Sequence, residues 1–169
     1  MNIPEIDTAR LRLRAFTLAD LDAYADICAD PEVRRHIGNG EPVGRDVAWQ
    51  HLAQALGQWA LTGCGMWALQ RRADGALIGR VGYQHPEGWP GLELAWTLAR
   101  HAWGQGYAFE AARAALDHGR RHLGVSQVIS LIRPANQRSI ALAERLGAVD
   151  EGLVDFLGSQ ALRWRHRVH

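Results

Sequence analysis

The chain has 169 residues, 47% of them apolar, and a formal net charge of +1 at neutral pH. This suits one domain with one core, and the charge balance gives no footing for a nucleic-acid partner. Two cysteines, Cys28 and Cys64, are too few for a disulfide scaffold, although one pair stays open. The start of the chain lacks the basic and apolar runs of a signal peptide. No stretch approaches the ~20 apolar residues that span a bilayer, so a cytoplasmic protein is expected.

Residues 10–16 alternate apolar and arginine-bearing positions and predict a strand. Thr17 and Asp20 have the spacing of a helix start, and Leu18, Leu21, Ala25 and Cys28 line one side of the helix that follows. Asp30-Pro31 stops it. Residues 31–38 predict a short helical turn, and 39–42 a loop. A second helix is predicted from about Arg45 to Leu61, with Val47, Leu52, Leu56 and Trp59 on its apolar side. Gly63 and Gly65 end it. Two strands, Gly65 to Arg71 and Leu77 to Gln84, flank an Ala73-Asp74-Gly75 hairpin turn. Gly79 and Gly82 mark a bulge or a close backbone approach in the second. A loop from His85 to Pro90 carries Trp89. Later come a short strand from Gln127 to Ile132 and a helix from Gln137 to Leu146, ended by Gly147. Two last strands are expected, from Ala148 to Leu153 and from Leu162 to Val168.

The middle of the chain organises the rest. Leu92 to Leu98 predicts a strand, Ala99 to Ala108 a turn with two glycines, and Phe109 to Gly119 an alanine-rich helix that Gly124 caps. Ala108, Ala112, Ala115, Leu116 and Gly119 fall on one face. Strand, glycine turn and helix together build an anion site. Glycine lets the backbone approach a ligand, and the first helical N–H groups lack internal partners and lie at the positive end of the helix dipole. A Walker A loop is excluded because the chain contains no lysine at all. A dinucleotide fingerprint is disfavoured because Phe109 stands where a small residue should pack.

Trp103-x-x-Gly106-x-Ala108 resembles the Arg/Gln-x-x-Gly-x-Gly/Ala loop of the GNAT N-acetyltransferase superfamily, with Trp in place of Arg/Gln. The run from Trp103 to Ala111 and the opening from Thr8 to Val33 are similar to the branch that acetylates the N-termini of ribosomal proteins (the RimJ/RimL-like branch). Arg133-Pro134-Ala135-Asn136-Gln137-Arg138-Ser139 resembles the family's second coenzyme A motif, Asn-x-x-Ser. The resemblance runs from Thr8 to about Arg167. It implies an α/β fold over residues 1–169 as a single domain, with a mixed, mostly antiparallel sheet splayed at its centre. It also implies acetyl-CoA as co-substrate, bound in the splay. Backbone groups of Trp96, Thr97 and Leu98 would hold the pantetheine arm. The N–H groups of Trp103, Gly104, Gln105, Gly106, Tyr107 and Ala108 would hold the pyrophosphate.

Glu93 sits on the strand before the glycine turn, between Leu92 and Leu94, which point the other way. A carboxylate there must either be bonded or face a cleft. The resemblance implies a general base that takes a proton from an attacking amine. Asn136 caps a helix and, by the resemblance, also bonds the pantetheine. Ser139 is then placed to face the thioester and counts as a second catalytic candidate. The family's usual tyrosine acid is missing, since Tyr24, Tyr83 and Tyr107 all precede Asn136. Ser139 or water is left for that role.

His118 and His122 have a chelating spacing, but no further ligand joins them in sequence, so no metal is expected. Trp49, Trp59, Trp67, Trp96 and Trp103 are expected in the core, while Trp89 and Trp164 are candidates for an acceptor site. The implied reaction moves an acetyl group from acetyl-CoA to a primary amine, a protein N-terminus or a small molecule. A non-catalytic acetyl-CoA-binding module and a transferase of a longer acyl group are the alternatives. The acceptor is expected to enter beside the loops 34–41 and 85–90, in a monomer or a homodimer.

Overall fold

A computed structural model describes residues 2–167. The chain opens with β1 (Ile6–Asp7), a two-residue strand that its sequence does not announce, and β2 (Leu11–Arg14). In β2, Leu11 and Leu13 are fully buried while Arg12 and Arg14 are half-buried on the opposite face, as the alternation requires, with Arg14 paired to Asp20. A single 3-10 turn (Leu18–Asp20) leads into α1 (Leu21–Ala29), and the Asp20 carboxylate accepts the Thr17 N–H at 2.8 Å. Leu18 does not join the apolar side. The tighter 3-10 turn rotates it into solvent, and it is 72% exposed.

Helix α2 (Pro31–Arg34) is capped by Asp30, and α3 (Arg45–Thr62) ends on Gly63 in the left-handed conformation. The buried stripe of α3 is Ala48, Leu52, Ala55 and Trp59. Trp49 lies one residue, about 100°, off that stripe and is 52% exposed instead of filling the core.

Strands β3 (Met66–Arg71), β4 (Leu77–Gln84) and β5 (Glu93–Leu98) pair antiparallel in sequence. The β3–β4 register shifts between Leu69 and Gln70, a bulge. At Gly82 a Cβ would lie 2.4 Å from the Gly65 carbonyl oxygen, so only glycine fits this approach. Helix α4 (Tyr107–His122) begins two residues earlier than expected. Tyr107 and Ala108 thus form its first turn. The alanine face lets α4 lie close to the sheet. The Tyr83 hydroxyl donates to the Ala115 carbonyl at 2.8 Å, and a Cβ at Gly119 would sit 2.1 Å from that hydroxyl.

After α4 come β6 (Val128–Ile132), α5 (Gln137–Arg145) and the hairpin of β7 (Val149–Phe156) and β8 (Ser159–His166). Both hairpin strands reach further toward each other than expected. They are joined by Leu157-Gly158, with φ of 50° and 73°, the two-residue turn that matches strand twist. Val168, expected at the end of the last strand, lies outside the described residues. The cysteines are both free.

The eight strands form one sheet in the order β1-β2-β3-β4-β5-β6-β8-β7. Every neighbouring pair is antiparallel except β5 and β6, which run parallel and register at a single position, Glu93 opposite Ile129. Beyond that point the two strands part, and β5 runs on to Leu98 with one edge open. One core packs α4 against the sheet, and a second packs α1 and α3 on the other face. The open edge lies between them.

Candidate active site

The splay exposes alternate backbone groups of β5. Ala99 N–H bonds the Ile78 carbonyl, which makes Thr97 opposite Arg80 a hydrogen-bonded pair of the β4–β5 ladder. The backbone of Thr97 is therefore spent on β4, contrary to the expectation that it faces a ligand. The groups turned to the open edge belong to Leu94, Trp96 and Leu98. The Ser130 hydroxyl donates to the Leu94 carbonyl at 2.6 Å, and the Trp103 indole donates to the Leu98 carbonyl at 2.9 Å.

At the end of β5 the chain turns through Gly104 and Gly106, with φ of 71° and 81°. Gly106 is the N-cap of α4 and supplies no side chain, so the first N–H groups of that helix have no side-chain acceptor. The turn is braced from behind. Arg10 donates to the Gln105 carbonyl at 2.8 Å, pairs with Glu110 at 2.7 Å and covers the buried Tyr107 ring. Gln105 itself donates to the His101 carbonyl. On the open side, the Arg138 guanidinium lies 3.5 Å from the Trp103 ring centroid, and that of Arg145 lies 4.2 Å from Phe109. The first turn of α5 faces the same space. Asn136 caps it by accepting the Ser139 N–H at 3.3 Å, and the Ser139 hydroxyl accepts the Trp96 indole N–H at 3.1 Å. Trp96, Trp103, Gly106, Asn136 and Ser139 line one cleft, and Trp96, Asn136 and Ser139 also border a second one, across the sheet.

Glu93 stands in the second cleft, where β5 and β6 part. It is 6% exposed. One carboxylate oxygen accepts from Gln84 at 2.8 Å and from the Trp89 indole at 2.7 Å, and the other accepts the Leu131 N–H at 3.3 Å. Burial pushes its carboxyl above the ordinary glutamate range, against the pull of these donors and of the Arg80 charge. Glu93 is thus both bonded and at a cleft. A buried carboxyl moved toward neutrality suits proton transfer better than an ordinary one.

Residues 10–149 match the acetyltransferase (GNAT) domain family. The chain belongs to the GNAT acetyltransferase family. It is 28% identical over 149 residues to the uncharacterized N-acetyltransferase p20 of Bacillus licheniformis, covering 87% of this chain and 83% of p20. An acetyltransferase structure from Agrobacterium tumefaciens superposes with a TM-score of 0.88 at 32% identity, over 99% of this chain and 96% of that one. RimL, a ribosomal alpha-N-protein acetyltransferase solved with coenzyme A, superposes with a TM-score of 0.83 over 98% of each chain. At 16% identity that likeness speaks for the fold.

This GNAT protein is accordingly an acetyl-CoA-dependent acetyltransferase. Tyr83 is locked under α4, Tyr107 lies beneath Arg10, and Tyr24 is buried with its hydroxyl pushed up to about 12. Trp164, a candidate for the acceptor site, is buried with Ile132 and Ala143. Trp89 is tied to Glu93 and packs edge-on to Phe156 at 4.7 Å. His118 and His122 stack on each other at 4.7 Å, and His118 meets Trp67. Among the described residues no three His, Cys, Asp or Glu side chains form a group that could hold a metal.

Several cleft residues escaped the sequence reading: Arg80, His51, Gln84 and Ser130. Arg80 carried a signal. It is a lone charge inside the apolar strand Leu77-Ile78-Gly79-Arg80-Val81, the same anomaly that drew notice to Glu93.

Proposed function

We propose that the protein transfers the acetyl group of acetyl-CoA to a primary amine, with the donor in the cleft lined by Trp103 and Gly106 and the acceptor over Glu93. The observation that carries this reading is the parting of β5 and β6 directly beyond Glu93, which puts an unpaired strand edge, a glycine-capped helix and a buried carboxylate around one gap. Backbone groups of Trp96 and Leu98 offer the pantetheine amides a strand-like edge. The α4 N-terminus and the arginines at 138 and 145 offer the phosphates donors and charge.

Acetyl-CoA supplies the acetyl group and a thiol leaving group. An α-amine of pKa ~7.7–8 is mostly protonated at neutral pH and has then no free lone pair. Glu93 takes its proton, directly or through water. The N–C bond then forms as the C–S bond breaks, the nitrogen releases its second proton to solvent, and the thiolate leaves. A thiol of pKa ~8.5 needs little help to leave. Ser139 accepts the Trp96 N–H, which leaves its own hydroxyl proton free for the sulfur.

A protein N-terminal α-amine, the acceptor that RimL's name indicates for that enzyme, is one candidate. The test is a panel of small amines, amino acids and peptides given acetyl-CoA, read as free thiol and as acetylated product by mass. Thiol and acetylated amine in equal amounts support the reading. Thiol without acetylated amine, or neither, opposes it.

A further inference from the structure

Opposite Glu93 the acceptor cleft is basic. Arg34 at the end of α2, Arg80 in β4 and Arg133 after β6 all line it, and Glu93 is the one acidic residue that does. Arg34 is 8% exposed and gives its Nε to the Glu41 carbonyl at 3.0 Å. Arg80 buries its Nε without a hydrogen-bond partner, and its guanidinium lies 5.8 Å from the Tyr24 ring. Arg133 donates to the carbonyls of Gly38, Phe156 and Gln160.

Among the described residues no carboxylate lies within 4.0 Å of these three, although ion pairs to arginine are frequent elsewhere in the chain. The other titratable groups facing the cleft do not balance them. Burial, with the charges of nearby arginines, lowers both His36 and His51, the latter to about 4, so both are neutral at pH 7. Tyr24 and Cys28, packed behind His51, are raised by burial and stay neutral too.

Three like charges in one cleft with no carboxylate in contact, and Glu93 as their single acidic neighbour, are costly, and a bound anion relieves them. We propose that the acceptor amine carries a carboxylate near it, which lies on Arg34 and Arg80 while the amine lies over Glu93. This rests on the preceding reading of the cleft as the acceptor site. A guanidinium holds a carboxylate through two parallel hydrogen bonds, and a polyamine is repelled. The carboxylate has two possible sources, a free amino acid or an acidic residue beside a peptide N-terminus.

The experiment compares N-acetylated amino acids, the product analogues, with their carboxamides by calorimetry on the enzyme saturated with coenzyme A. It needs no turnover. The acids should bind at least tenfold more tightly. Arg80→Gln should bring the two close to parity, and Arg80→Lys should keep part of the preference, with coenzyme A affinity retained as the sign of a folded protein. Equal binding of acid and carboxamide to the unaltered enzyme would overturn the proposal.

Matched substrates then separate the sources. Amino acids against their amides, and peptides with Asp against Asn at the second position, show which carboxylate is read. Succinyl-CoA used in preference to acetyl-CoA, with neutral and acidic amines accepted alike, would mean that the arginines read the acyl chain, and would also overturn it. Absence of thiol release with every amine would count against acetyl transfer itself and leave the calorimetry to decide on the carboxylate.

Discussion

Arg138 holds its guanidinium over the indole of Trp103, 3.5 Å from the ring centroid. Trp103 stands where the family's loop has Arg or Gln, and its indole N–H is spent on the Leu98 carbonyl, its backbone N–H on the Arg100 carbonyl. The charge missing from the loop is thus returned from α5 across the cleft. Arg138→Gln should weaken acetyl-CoA binding about tenfold, the ~1.4 kcal/mol of one charge-assisted contact. The loss should shrink at high salt, where exposed charges are screened. Calorimetry at two ionic strengths checks both.

Gly106 holds a φ of 81° at the cap of α4, and a Cβ there would meet Arg10 at 3.3 Å. Gly106→Val puts a branched side chain in a conformation it resists and against the Arg10 brace behind the turn, which displaces the backbone N–H groups offered to the phosphates. Acetyl-CoA affinity should fall at least tenfold. The cost in stability should stay near 1–3 kcal/mol, and a thermal melt run beside the titration separates the two effects.

Trp89, expected beside the acceptor's entrance, lines the cleft that holds Glu93, and its indole bonds the Glu93 carboxylate. Trp89→Phe keeps a ring against Phe156 and removes one of three donors that favour the charged form. The acid limb of the rate profile should therefore move to higher pH, while the Michaelis constant for acetyl-CoA stays nearly constant. An unchanged pH profile would show that this hydrogen bond does not tune the carboxyl.

Half-buried His51, beside Arg80 and Arg34, and buried His166 are both pushed down to about 4 from 6.5. His166 sits 2.7 Å from the Ser130 hydroxyl, which itself donates to Leu94. The imidazole Nε2 must then carry a proton, and Nδ1 is left bare. For a lowered folded-state value, stability is present above 6.5 and is lost as pH falls through 4. Glu93, being raised, works the other way. Chemical denaturation between pH 7 and pH 4 should show falling stability, less steeply in His166→Gln.

The order of strands and helices was legible because its signals are local: the β2 alternation, the Asp30-Pro31 stop and the alanine face of α4. Leu18 and Trp49 were misplaced because helical phase depends on the exact start of each turn, which the sequence leaves loose. The last hairpin was drawn short because Leu157-Gly158 carries no asparagine or aspartate to advertise a two-residue turn. At the site, motif residues could be named because a glycine turn and a helix cap act through adjacent backbone. The bonds from Gln84, Trp89 and Leu131 to Glu93, and the gathering of Arg34 and Arg80, join separate elements, and only the folded sheet brings them together.

The most direct test of amine acetylation over Glu93 is the rate of acetyl transfer as a function of pH, in the native enzyme and in Glu93→Gln. The native profile should fall on an acid limb above the ordinary glutamate range, because burial raises this carboxyl. Glu93→Gln should lose at least tenfold at pH 7, bind acetyl-CoA as before, and recover toward pH 9 as the amine loses its proton unaided. Equal rates for the two enzymes at neutral pH would contradict the account and leave Glu93 a structural carboxylate.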